Sequence, residues 1–228
     1  MSGVGFVAKT AALTRKDLRV EARSRDTLPP MLAFAFTVAL VLAFTLPDAT
    51  RASAKVVAGF LWITVLFAGL IGFARTFEVE REEGALDALL LVPLDRSGIF
   101  FSKAAANLVF LALVEVFLVP VFGLFFSLDL SSWLMLALVV VLVDIGFVAV
   151  GTLFASLASQ TRSRELILPI LALPVLVPAF IAGVELSADL FAGAGLDDIA
   201  ARGWFGILLF FDAVFLVVGA LGFEFAID

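Results

Sequence analysis

The sequence predicts an all-α polytopic membrane protein: six transmembrane helices, an N-terminal interfacial amphipathic helix, and a cytoplasmic amphipathic helix between spans two and three. Three observations lead there. Of the 228 residues, 63% are apolar and 16% charged, against about 45–50% and about 25% in ordinary soluble domains. The mean hydropathy of +1.16 exceeds what a single core of this length can bury from water, so lipid must solvate much of the chain. Second, six stretches reach the roughly 20 apolar residues that a bilayer core about 30 Å thick requires. Third, basic residues alternate between rich and poor segments along the chain in the way membrane topology imposes.

The spans fall at about 28–47, 56–74, 104–126, 133–158, 166–184 and 204–223, making residues 28–228 the transmembrane domain and residues 1–27 a leader. With the N-terminus cytoplasmic, the inner segments hold Lys9, Arg15, Lys16, Arg19, Arg23, Arg25, Arg75, Arg81, Arg96, Lys103, Arg162 and Arg164. The outer loops hold only Arg51, Lys55 and Arg202, so 12 of the 15 basic residues are inside and both termini are expected in the cytoplasm. The expected location is a bacterial cytoplasmic (inner) membrane. The leader is too long for a signal peptide's n-region, and the first apolar run is long enough to span, so no cleavable signal is expected. Val4, Val7, Ala11 and Leu18, with basic residues between them, have the spacing of an amphipathic helix in the inner headgroup layer; a plain basic topology anchor fits the same residues.

Composition also removes chemistries. The chain has no Cys, no His and no Tyr, which takes away thiolate metal sites, cysteine nucleophiles, the commonest general base and three haem ligands. Met1, Met31 and Met135 are the only sulfur atoms left. A net charge of −6 gives no reason to expect nucleic-acid binding. There is no G-x-x-x-x-G-K-[ST] phosphate loop and no Gly-Lys pair, so any use of ATP belongs to another chain.

The connection from Arg75 to Lys103 is the longest inner one. In residues 78–91, Ala85, Leu86, Leu89 and Leu90 share one helical face behind an acidic first turn, and Pro93 stops the helix. Gly84 inside it costs about 1 kcal/mol relative to Ala. A helix of this shape on the cytoplasmic face suits a cleft on a cytoplasmic partner, and suits covering the membrane surface equally well.

These residues carry a resemblance. Phe77, Glu78, Glu82, Gly84, Leu86, Leu89, Leu90, Pro93, Leu94 and then Lys103 resemble the loop signature of membrane subunits of the type-2 ABC exporter superfamily. Within it the chain most resembles the CcmB family of cytochrome c maturation. Total length, six spans and the proline-spaced fifth segment with Pro169, Pro174 and Pro178 support that choice, and the resemblance covers essentially the whole chain. It implies a non-catalytic, permease-type subunit that pairs with a second copy of itself and with a CcmA-like ATPase, a CcmC-like haem-handling subunit and a small CcmD-like subunit. It further implies that ATP and haem sit on partner chains, with no cofactor bound directly, and that residues 78–93 are the helix that couples to the ATPase. A type-2 exporter permease for a drug, lipid or glycan is the alternative.

Three acids lie mid-span: Glu115, Asp144 and Asp212. A charged carboxylate at that depth costs about 2.5–3.5 kcal/mol on insertion scales, so such groups are usually protonated, hydrogen-bonded or paired. A proton-linked polar pathway is one reading; hydrogen bonds that glue helices together are the more ordinary one. Asp144 and Asp212 also raise intramembrane proteolysis, without a supporting flanking pattern. Gly151, Ala155 and Ser159 recur every four residues, which lets helices approach closely, within the chain or across a dimer. The three prolines predict a kinked fifth span, as a hinge or a static bend. Outside, residues 185–203 suggest a short surface helix through Leu186, Leu190 and Phe191.

Overall fold

The computed structural model describes residues 5–51, 53–77, 95–159, 164–195, 199 and 202–226. No strand occurs among them. The long helices, in chain order, are α1 (Phe6–Ser24), α2 (Leu28–Thr45), α3 (Ala54–Arg75), α4 (Arg96–Phe126), α5 (Trp133–Ser159), α6 (Arg164–Phe191) and α7 (Trp204–Ala226). A single turn, Asp48–Arg51, lies between α2 and α3. Helices α2 to α7 are each long and apolar enough to cross a membrane, as the sequence predicts.

Helix α5 is the hub, packing against α3, α4, α6 and α7. Its sequence explains why. From Gly146 to Leu153 every residue is buried, and a helix apolar on all sides belongs in the interior. Around it, α6 packs on α3 and α7, α2 packs on α3 and α4, and α1 packs on α4. Helix α2 turns Met31, Ala35, Ala39 and Ala43 inward and leaves Phe36, Val41 and Phe44 outside. The three alanines, at four-residue spacing, let α2 lie close to its neighbours, which is how helices pack where lipid offers no hydrophobic drive. Helix α4 divides in the same way, with Leu111, Val114, Leu118 and Phe122 buried and Val109, Leu113, Val116 and Leu124 exposed.

Helix ends follow local chemistry. Pro29 and Pro30 stand in the first turn of α2, where a missing N–H removes no bond. After α6, Gly193 adopts φ 73°, its N–H donates to the Leu190 carbonyl, and the Ala194 N–H donates to the Asp189 carbonyl. This is a Schellman ending, which glycine permits at that φ. Between α4 and α5 the Ser131 N–H donates to Asp129 at 2.8 Å and holds that exposed carboxyl below the usual carboxylate range.

Two expectations are revised, and α1 shows which of its faces meets the bundle. The helix of the third span begins at Arg96, eight residues ahead of 104, because its first turns are packed, Ser102 and Lys103 against α1 and Phe100 against Phe223 of α7. Leu186, Leu190 and Phe191 form no separate outer helix: α6 runs through to Phe191, since these three are buried and hold the chain helical. In α1, Val7 is 77% exposed and Ala11 is also outside. The face that meets the bundle carries Thr14, Asp17 and Glu21, with Leu13 packed beside them.

Candidate functional site

Polar chemistry gathers at the end of the bundle that carries α1. Lys103, on the second turn of α4, is 3% exposed. Its ammonium lies 3.1 Å from Asp17 Oδ2 on α1 and 5.4 Å from the centre of the Phe77 ring. Asp17 also pairs with the more exposed Lys16 at 3.2 Å. One turn earlier on α1, the Thr14 hydroxyl donates to the Ser102 carbonyl at 3.2 Å. A buried cation held by a carboxylate and a ring face is fixed in position, because either contact alone leaves its desolvation uncompensated.

Phe77 itself is buried, 6.1 Å from Phe223 on α7, and Phe223 in turn lies 5.9 Å from Phe100 on α4. Just above, Thr76 and Asn107 hydrogen-bond side chain to side chain, and the Asn107 amide also donates to Thr152 on α5 at 3.1 Å. Glu21 secures the remaining corner. Its carboxylate accepts from the N–H of Thr27 at 3.0 Å and of Leu28 at 2.7 Å, capping α2 from the end of α1 and satisfying donors that a helix start leaves open. Between these parts is a cavity of about 440 Å³.

The mid-span acids are buried around α5: Glu115 is 3%, Asp144 1% and Asp212 5% exposed. Glu115 and Asp144 are neighbours across the α4–α5 contact. Asp212 on α7 lies against Gly146, where a Cβ would stand 2.6 Å from its Oδ1. Asp144 thus has Glu115 as its acidic neighbour, while Asp212 meets α5 at Gly146. Gly151 meets the Phe73 ring, which occupies the place of a Cβ. Ala155 and Ser159 continue beside Phe73 and Phe77, so this small-residue row faces α3 within the chain. Pro169, Pro174 and Pro178 stand inside α6 without ending it.

Comparison with known proteins gives these contacts a family setting. The family described as CcmB protein matches residues 8–228. The chain belongs to the CcmB family. It is similar to "Heme exporter protein B" of Rhodobacter capsulatus, 31% identical over 175 residues that cover 77% of this chain and 80% of that one. The protein of the same name from Paracoccus denitrificans is 30% identical over 210 residues, covering 92% and 93%. A shorter match, 25% identical over 93 residues, joins it to the Escherichia coli protein of that name.

For this CcmB-family chain the loop signature divides. Phe77 and Lys103, its two ends, meet as ring and cation. Glu78, Glu82, Gly84, Leu86, Leu89, Leu90 and Pro93 lie outside the described residues. Sequence reasoning passed over Asp17, Glu21, Asn107 and Thr152. The available signals were a lone Asn in an apolar run and an acid placed shortly before a Pro-Pro helix start.

Proposed function

We propose that this chain is the permease-type membrane subunit of an ABC complex for cytochrome c maturation, in the bacterial inner membrane with both termini cytoplasmic. It passes nucleotide-driven motion from a CcmA-like ATPase to a CcmC-like subunit, with a CcmD-like subunit and a second copy of itself in the assembly. The outcome is release of a haem-loaded chaperone. ATP and haem are held by partner chains: the sequence has no phosphate loop and lacks His, Cys and Tyr, and Met31 is packed at Gly72 inside the bundle. The relatives' name and the concentration of basic residues on one side support the setting.

The observation that carries the coupling reading is the anchorage of the 78–94 segment. The residue before it, Phe77, is gripped by Lys103 and Phe223, and Lys103 is tied to α1. A push on that segment is thereby delivered to α1, α4 and α7 together, which is what a lever needs. Residues 78–93 are the lever, with Leu86 and Leu89 on its docking face.

The test is the double variant Leu86→Asp/Leu89→Asp, expressed with its partner subunits. Loss of ATPase co-purification and of cytochrome c maturation, with the chain still in the membrane, is the expected result. Retention of both would sink the assignment. Recovery of a permease–ATPase pair with no CcmC-like subunit from wild-type membranes would instead favour an exporter acting alone.

A further inference from the structure

The two faces of α1 sort charge by sign. Its acids, Asp17 and Glu21, turn toward the bundle and are committed there, Asp17 to Lys16 and Lys103 and Glu21 to the start of α2. Arg15, Arg19 and Arg23 are exposed on the outward face, and at four-residue intervals they form a row about 12 Å long. None of the three takes part in an ion pair among the described residues. Like charges at this spacing destabilise a helix. Arg23 stands in the last turn, where the helix dipole favours a cation; Arg15 and Arg19 lie deeper in the helix, where that offset is absent. Toward its N-terminal end the outward face is apolar, with Val7, Ala8, Ala11 and Ala12 exposed. The coupling reading uses neither half of it.

We propose that the outward face of α1 binds anionic phospholipid of the leaflet on the α1 side, with Arg15, Arg19 and Arg23 at the phosphates and Val7, Ala8 and Ala11 at the roots of the acyl chains. The helix stands at the level this requires. Its C-terminal end caps the start of apolar α2. Its middle packs on Ser102 and Lys103, just ahead of the apolar part of α4. Headgroups meet spanning helices at that level. Charge selects the lipid class: a row of basic side chains on an amphipathic helix attracts anionic headgroups, whereas a zwitterionic headgroup brings an ammonium that the same row repels. The chain as a whole carries a net charge of −6, which opposes anions, so a preference for them has to come from this row. An acidic protein surface would complement the arginines as well, but the apolar half of the same face suits the boundary between headgroups and acyl chains. The inference goes beyond the coupling reading and needs only that the bundle spans a membrane.

The experiment is equilibrium binding of tail-labelled phosphatidylglycerol or phosphatidylethanolamine to the delipidated full chain in a neutral detergent, read by fluorescence anisotropy. The wild-type chain should bind phosphatidylglycerol about tenfold more tightly or better. That preference should shrink as salt rises from about 0.1 M to about 1 M and the screening length falls from about 10 Å to about 3 Å. Replacing one arginine of the row by Gln should weaken phosphatidylglycerol binding about fivefold. The triple variant Arg15→Gln/Arg19→Gln/Arg23→Gln should erase the preference, and Arg15→Lys/Arg19→Lys/Arg23→Lys should keep most of it. All three positions are exposed, so both variants should elute as the wild type does. Equal binding of the two lipids by the wild-type chain, a preference that survives the triple Gln variant, or displacement of bound lipid by equimolar inorganic phosphate would each overturn the proposal. So would loss of a co-purifying partner subunit from the triple Gln variant with its lipid preference intact, which would assign the row to a protein surface.

Discussion

Asp17 and Glu115 are both carboxylates on helices packed into the same bundle, but only the first has a cation beside it. At the α1 end, Asp17 holds Lys103 at 3.1 Å and Glu21 holds the start of α2 through two backbone N–H groups. In the middle, Glu115 has Asp144 for a neighbour, and no basic side chain pairs with either among the described residues. The difference separates two uses of polarity. Opposite charges at the end fix one element against another, so they set geometry. The acids in the middle have no such ion pair, so the contact between their helices is carried by packing. Lys103→Met breaks the end's arrangement and should show the largest effect. Removing one partner of a buried ion pair costs about 3–5 kcal/mol, and Asp17, with its side chain 11% exposed, places this pair near the low end, about 3 kcal/mol. Reversible unfolding in detergent measures it. Adding Asp17→Asn should return part of the loss, because the carboxylate left with only the more exposed Lys16 is then gone.

The middle is more sensitive to volume than to charge. Gly151 on α5 leaves room for the Phe73 ring, and Phe73 in turn meets Phe147 edge-on at 4.9 Å. Gly151→Leu forces that ring out of a packed interior, and overpacking of this kind costs about 1–3 kcal/mol. Pairing it with Phe73→Ala should recover stability, which a surface effect of the leucine would not. If Gly151→Leu destabilised more than Lys103→Met, the ordering of the two regions would have to be inverted.

How much of this was legible beforehand follows from the same contrast. The six spans were readable because hydropathy acts residue by residue, and Gly151 stood out because small side chains at four-residue spacing have a direct packing consequence. The family was readable from the residues of the 77–103 stretch and from the prolines of the fifth segment. The pairing of Asp17 with Lys103 was not, since 86 positions separate them and nothing local marks an acid on one amphipathic helix as the partner of a lysine on another. The length of α4 was hidden for a related reason. Its first turns mix Arg96, Ser97, Ser102 and Lys103 with Ile99, Phe100 and Phe101, and they pack on α1 and α7, distant in sequence. Likewise the run after Val184 reads as a separate short surface helix, while Leu186, Leu190 and Phe191 continue α6 because tertiary burial holds them so.

The smallest effect should come from Glu115→Gln. The substitution keeps the shape of the side chain and its capacity to hydrogen-bond to Asp144, and removes only the ability to carry charge. Interhelical hydrogen bonds within membranes average about 0.6 kcal/mol, so the change in unfolding free energy should stay near that value, well below the loss at Lys103. Cytochrome c maturation in cells carrying the variant should remain close to wild type if Glu115 serves only as a contact between α4 and α5. A variant that folds, assembles with its partners and yet abolishes maturation would contradict this. It would place a proton-linked step between Glu115 and Asp144, and the middle of the bundle would then work by charge just as the α1 end does.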